Sequence, residues 1–202
     1  MNGRHYFSDD PSLKSDEREI EYEVGGRVYR FLTDHGVFSM ERVDFGTDVL
    51  IKTVLGREAE IPGRIIDIGC GYGPIGIVLA ERYGRECVML DVNGRAMELA
   101  RKNAEANGVS GRVKIGREDE LRLSDGCAEL IVTNPPIRAG KETVYSLFGL
   151  ASRLLAGGGR FYAVIRKSQG AQSAERELAR IFGSAETVGR KAGYHVIMCE
   201  KK

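Results

Sequence analysis

The stretch IIDIGCGYGPIG, residues 65–76, decides how the rest of the chain is read. Its first residues, within RIIDI (64–68), make a short apolar strand. Glycines then crowd the turn, and Pro74 opens a helix, PIGIVLAERYG (74–84), that Gly84 stops. Glycines between a strand and a helix let backbone N–H groups approach a ligand at the helix N-terminus. Gly71, Gly73 and Gly76 fit the spacing G-x-G-x-x-G. Asp91, about 20 residues beyond Gly71, ends the next strand and can accept hydrogen bonds from ribose hydroxyls. This spacing suits a dinucleotide as well as it suits S-adenosylmethionine.

Downstream the same texture repeats. ECVMLDV (86–92) reads as a strand, and Asn93 caps a helix, GRAMELARKNAEAN (94–107), that ends at Gly108. RVKIG (112–116) and AELIVTN (128–134) are strands. KETVYSLFGLASRLLA (141–156) is a helix ended by Gly157-Gly158-Gly159. RFYAVI (160–165) is a strand, AQSAERELARIFG (171–183) a helix, and AETVG (185–189) and YHVIMCE (194–200) are strands. Strands alternating with helices of this length mean βαβ units. The expected fold is α/β, a Rossmann-like, mostly parallel sheet of seven strands with helices on both faces. RKAG (190–193) is too short for a crossover helix, so the final strand is expected to be antiparallel.

Upstream, IEYEV (20–24) and RVYRFLT (27–33) alternate with period two around Gly25-Gly26, a hairpin pattern. A short helix is expected from Thr47 to a stop at Gly56. With 202 residues, the chain is read as one domain, residues 1–202, with an N-terminal appendage at 1–45 and a catalytic core at 46–202.

Lys and Arg total 30 against 29 for Asp and Glu, a net charge of +1 that excludes a strongly basic arm but not a local phosphate-binding patch. Cys70, Cys87, Cys127 and Cys199 form no C-x-x-C pair, and His5, His35 and His195 are scattered. Structural zinc, a disulfide framework and a nucleophile–base pair are therefore not expected. Free thiols point to a reducing cytoplasm. No signal-like or membrane-length apolar run occurs in the sequence.

Two details favour S-adenosylmethionine over NAD. Asp67 extends the motif to D-x-G-x-G-x-G. A carboxylate there can hold an ammonium group and would repel a pyrophosphate. The remaining chain is also used up by one sheet, leaving no second half for a dinucleotide. A further motif lies past the strand AELIVTN, at the ligand-binding end of such a sheet. Asn134-Pro135-Pro136 has a rigid backbone. The Asn134 amide oxygen and the Pro135 carbonyl together can accept both hydrogens of an exocyclic amine and aim its lone pair at an electrophile.

D-x-G-x-G-x-G, a strand-end acid and N-P-P resemble class I S-adenosylmethionine-dependent methyltransferases acting on amino groups. The wider resemblance is to the small-subunit ribosomal RNA guanine-N2 methyltransferases and their single-domain relatives. It runs through HYFSDDPS (5–12), DHGVFSMERVDFGTDVL (34–50), NPPIRAGK (134–141) and AGYHV (192–196). The resemblance implies catalytic Asn134, Pro135 and Pro136. It implies cofactor contacts from Asp67, Gly69, Cys70, Gly71, Gly73, Asp91 and Val92. Glu118 or Asp119 would meet the adenine, with ungapped counting back from Asn134 selecting Glu118, and Phe38 and Thr47 would border the site. The substrate implied is a base amine, most readily guanine N2, in ribosomal RNA or the small ribosomal subunit.

Ile137 departs from the pattern, which often has Phe or Tyr after N-P-P to stack on the base. Ile137, Arg138 and Lys141 are the expected substrate contacts. Arg138/Lys141, Arg166/Lys167 and Arg190/Lys191 each follow a strand and should crowd one edge of the sheet, as phosphate contacts require. Adenine or protein-amide N-methylation and a non-catalytic nucleotide- or RNA-binding module stay open as alternatives. The oligomeric state is not legible.

Overall fold

The computed structural model describes residues 16–35, 37 and 39–202. The segment HYFSDDPS and Phe38 lie outside the described residues. β1 (Arg18–Val24) and β2 (Arg27–Thr33) pair antiparallel as a separate two-stranded sheet, turned at Gly25-Gly26. The main sheet holds β3 (Ile65–Ile68), β4 (Cys87–Leu90), β5 (Val113–Gly116), β6 (Ala128–Thr133), β7 (Leu155–Arg166), β8 (Glu186–Lys191) and β9 (Tyr194–Glu200). Their order is β5-β4-β3-β6-β7-β9-β8. The first five run parallel, and β9 lies antiparallel between β7 and β8. The expected sheet of seven strands, its antiparallel last strand and the N-terminal hairpin are all present.

Because strand side chains alternate, each central strand feeds two cores. Ile65, Cys87, Met89, Leu130 and Val132 face one side. There they meet the hairpin, α1 (Phe45–Arg57), α2 (Pro74–Tyr83) and α3 (Gly94–Ala106). Ile66, Val88, Leu90 and Ile131 face the other side, against α5 (Lys141–Leu154) and α6 (Ala171–Phe182). The single turn α4 (Glu118–Leu121) follows β5. Phe148 and Phe161 are fully buried in the second core, edge to face at 5.9 Å. Burial of such a side chain contributes about 1.5–3 kcal/mol.

Three boundaries differ from the sequence expectation. Helix α1 starts at Phe45, not Thr47, because Asp44 caps it by accepting from the N–H groups of Gly46 and Thr47 at 2.8 and 3.2 Å. Gly56 does not stop α1, which runs to Arg57. Gly157, Gly158 and Gly159 do not end α5 either. They lie inside β7, where the pairing with β6 shifts register between Ala128 and Leu130. A bulge tolerates the open backbone that glycines supply.

The hairpin docks through its free edge. On α3, Asn103 Oδ1 accepts from Leu32 N at 2.6 Å and its Nδ2 donates to Leu32 O at 2.9 Å. One turn later Asn107 repeats the pattern on Arg30, at 3.2 and 2.7 Å. Two side-chain amides thus stand in for a third strand and satisfy the edge of β2.

Candidate active site

The glycine loop joins β3 to α2, at the carboxyl end of the parallel strands. Gly71 has φ 57°, a left-handed conformation that side-chain-bearing residues avoid, and a Cβ there would meet only open space. Gly76 serves packing instead: a Cβ would come within 2.7 Å of Met89 Cγ. Tyr72 points away from the sheet edge into the hairpin, edge to face with the buried Phe31 at 5.9 Å. Cys70 is buried, and burial pushes its thiol well above the ordinary value.

Asp91 holds this loop in place. One carboxylate oxygen accepts from Gly71 N at 2.8 Å, and the other from Val92 N at 2.8 Å and Asn93 N at 2.9 Å. It therefore bridges the glycine loop to the start of α3. Asp67 is fully buried on β3. Its Oδ2 accepts from Gly76 N at 2.9 Å, and its Oδ1 is buried with no partner among the described residues. Burial pushes the Asp67 carboxyl up to about 7, the Gly76 N–H counters it, and the charge of Asp91 adds to the rise.

Val92 is 60% exposed, an apolar side chain left bare next to Asp91. Glu118 opens α4, and its carboxylate accepts from Arg153 Nη2 at 2.5 Å. Asp119 is the next residue of that turn.

Asn134 leaves the end of β6 half-buried, and both N–H bonds of its amide are used. Nδ2 donates to Thr47 Oγ1 at 2.9 Å and to Asp44 Oδ2 at 3.1 Å. The capped start of α1 therefore fixes which way the amide points and leaves Oδ1 as its free acceptor. The Pro135 carbonyl already accepts from Ile137 N at 2.8 Å, with Pro136 at φ −73° and ψ 78°. One lone pair of that carbonyl remains for a substrate.

Ile137 lines a cavity of about 230 Å³ with Tyr145, Ile165 and Ser173. Lys141 Nζ sits 5.1 Å from the Tyr145 ring centroid, and Arg138 is exposed. Arg166 and Lys191 end β7 and β8, on the sheet edge where Asn134 follows β6. Among the described residues no group of three or more His, Cys, Asp or Glu is placed to hold a metal.

Sequence reasoning missed Asp44, which was legible as an N-cap three residues before the expected start at Thr47. It also missed Asn103 and Asn107, whose signal is their spacing of one turn in an otherwise strong helix former.

A family model described as the methyltransferase small domain matches residues 28–198. The uncharacterized protein YbxB of Bacillus subtilis (strain 168) is 42% identical over 200 residues, 98% of each chain. Ribosomal RNA small subunit methyltransferase C of Haemophilus influenzae (strain PittEE) is 35% identical over 111 residues, 54% of this chain and 32% of its own length. A solved structure of the T. thermophilus 16S rRNA N2 G1207 methyltransferase (RsmC), in complex with AdoMet and guanosine, matches with TM-score 0.81 at 27% identity. That match covers 96% of this chain and 53% of the other. The chain thus spans about a third of the Haemophilus relative and about half of the T. thermophilus one.

Fold and matches together define an S-adenosylmethionine-dependent methyltransferase, with S-adenosylmethionine as its cofactor. Within that class, the chain belongs to the methyltransferase small domain family and resembles the ribosomal RNA guanine-N2 methyltransferases. No helix among the described residues is long and apolar enough to cross a membrane.

Proposed function

We propose that the protein methylates an exocyclic amino group of an RNA base, with guanine N2 of small-subunit ribosomal RNA as the substrate. The observation that carries this reading is the Asn134 amide. With both N–H bonds held by Thr47 and Asp44, its oxygen is turned to accept. That oxygen and the free lone pair of Pro135 O take the two hydrogens of the amine, and the nitrogen lone pair is left aimed at the cofactor. The relatives that act on 16S ribosomal RNA support an RNA substrate, as does the guanosine in the T. thermophilus complex. A ribosomal substrate puts the reaction in the cytoplasm.

The residues present fit the cofactor. The orphaned Asp67 Oδ1 suits its ammonium, the open backbone at Gly69 and Gly71 admits its close approach, and bare Val92 offers an apolar face to adenine. Asp91 orders the loop and keeps one lone-pair direction for ribose. Glu118 serves the adenine edge with the oxygen that Arg153 leaves free. Bound S-adenosylmethionine supplies a methyl group activated by its sulfonium. The protein's part is proximity and orientation. No general base is required, because the amine loses its proton to water after attack. The base must be unstacked to reach Asn134. Arg138 and Lys141, beside Ile137, hold the backbone phosphates.

The test is nucleoside mass spectrometry of small-subunit RNA, taken from cells without the gene and incubated with protein and S-adenosylmethionine. N2-methylguanosine is the expected product. N6-methyladenosine would overturn the guanine assignment, and no RNA methylation by cofactor-binding protein would overturn the RNA reading.

A further inference from the structure

Beside Asn134, at the same sheet edge, four side chains form a patch of aromatic surface and positive charge. Tyr194 opens β9, and in the strand register it stands opposite Arg166 of β7 and Lys191 of β8. Phe45, the first residue of α1, lies against it, with ring centroids 5.6 Å apart and planes at 51°. The Arg166 guanidinium carbon is 5.8 Å from the Tyr194 centroid, and Lys191 Nζ is 5.9 Å from that of Phe45.

Three features set this patch apart from packing. Phe45 is 37% exposed, one of three large apolar side chains exposed among the described residues. Arg166 and Lys191 are exposed and make no ion pair with a carboxylate among the described residues, whereas Arg18, Arg64, Arg153 and Arg180 do. The patch is also built onto the Asn134 anchor. A Cβ at Gly46 would lie 2.8 Å from Tyr194 Cε1, so the Tyr194 ring rests on the turn whose Asp44 holds the Asn134 amide.

We propose that Phe45, Tyr194, Arg166 and Lys191 form a stacking site for an unpaired nucleotide flanking the target base. This rests on the RNA reading above. The rings offer stacking surface to the neighbouring base, and the two cations, resting on ring faces in the free protein, turn to its phosphate. Base–aromatic stacking is tolerant of sequence because every base has a π-face. Ile137 cannot stack in this way, so the site places the aromatic contribution one nucleotide away from the methylated base. Specificity then resides at Asn134 and grip resides at Phe45 and Tyr194.

The test uses a short single-stranded RNA with one guanine, flanked on either side by fluorescent 2-aminopurine. Wild type should quench the fluorophore on binding. Phe45→Ala with Tyr194→Leu should abolish the quench and weaken RNA binding about tenfold or more. The salt dependence of binding should stay unchanged. Arg166→Gln with Lys191→Gln should instead flatten that dependence by up to two ionic contacts. In both variants the affinity for S-adenosylhomocysteine should hold, which reports an intact fold. The exposed Phe45→Ala change alone, which leaves the packing of Tyr194 on Gly46 in place, should still reduce the quench. If wild type binds RNA while Phe45→Ala and the double variant bind and quench as it does, the stacking site is overturned and the RNA reading stands. If wild type binds S-adenosylhomocysteine but no RNA, the RNA reading itself falls and takes the site with it.

Discussion

The side-chain amide of Asn103 donates to the backbone carbonyl of Tyr72 at 2.8 Å, tying helix α3 to the middle of the glycine loop. The same nitrogen donates to Leu32 O in the hairpin. Asn103 is fully buried, and its bond to the Tyr72 carbonyl is buried with it. The hairpin and the loop are therefore held by one amide, and Phe31 against Tyr72 adds an apolar contact between them.

Asn103→Leu should lower stability by about 3 kcal/mol, because it leaves the buried Tyr72 carbonyl and the part-buried backbone groups of Leu32 without their partner. Urea unfolding measures this. S-adenosylhomocysteine affinity should fall as well. Unchanged affinity in a destabilised variant would mean that the loop holds its shape without α3.

Asn134→Ala should leave cofactor affinity within a few-fold and cut single-turnover methyl transfer by about 100-fold, the cost of a misplaced attacking atom. Asn134→Asp, which keeps an acceptor, should retain partial activity. Thr47→Val removes one of the two acceptors that orient the amide. It should lower kcat more than it raises KM, and Thr47→Ser should restore the rate. Full activity in both Asn134 variants would make the Asn-Pro-Pro turn structural.

Asp91→Ala removes an acceptor shared by Gly71, Val92 and Asn93 as well as the proposed ribose contact. Hydrogen bonds to a charged group contribute about 1.5–3 kcal/mol each. We expect S-adenosylhomocysteine to bind at least about tenfold more weakly by calorimetry, and the melting temperature to fall with it. A stable variant with wild-type affinity would move the ribose contact elsewhere.

We expect Asp67 to make the free protein and its cofactor complex respond to pH in opposite directions. Burial raises the carboxyl from 3.8 to about 7 in the folded chain. Between these values the folded state carries a proton that the unfolded state has lost. The contribution of this group to stability is therefore greatest below pH 3.8, declines as pH rises, and is gone above about 7. An ammonium ligand prefers the ionised form, so S-adenosylhomocysteine affinity should strengthen as pH rises through about 7. Asp67→Asn should weaken binding, flatten that profile and raise the melting temperature of the free protein at neutral pH. A profile identical to wild type would place the ammonium elsewhere.

Much of the fold was legible because it is written in local patterns. Alternating residues around Gly25-Gly26 make a hairpin, and the run from Ile65 through Pro74 makes a strand, a tight turn and a helix start. Asn134-Pro135-Pro136 was legible as a candidate site for the same reason, since its proposed chemistry lies in adjacent residues. Some boundaries slipped where a competing local signal won. Asp44 capped α1 ahead of Thr47, and the glycines at 157–159 were taken into β7 by a bulge.

The tertiary structure alone decided which partners these local pieces meet. Nothing near Asn134 in sequence marks Thr47 and Asp44 as acceptors for its amide. They are separated by 87 and 90 residues and brought together only when α1 packs beside the end of β6. The Asn103 amide likewise finds Tyr72 and Leu32 only after the hairpin docks on α3. By itself, the sequence determined the strand-and-helix alternation, the glycine loop and the Asn-Pro-Pro turn, because backbone sterics and hydrophobic periodicity act over a few residues. Folding decided the direction of the Asn134 amide and the company of Tyr194. Hydrogen-bond direction and ring contact depend on groups that the chain brings close only through its core.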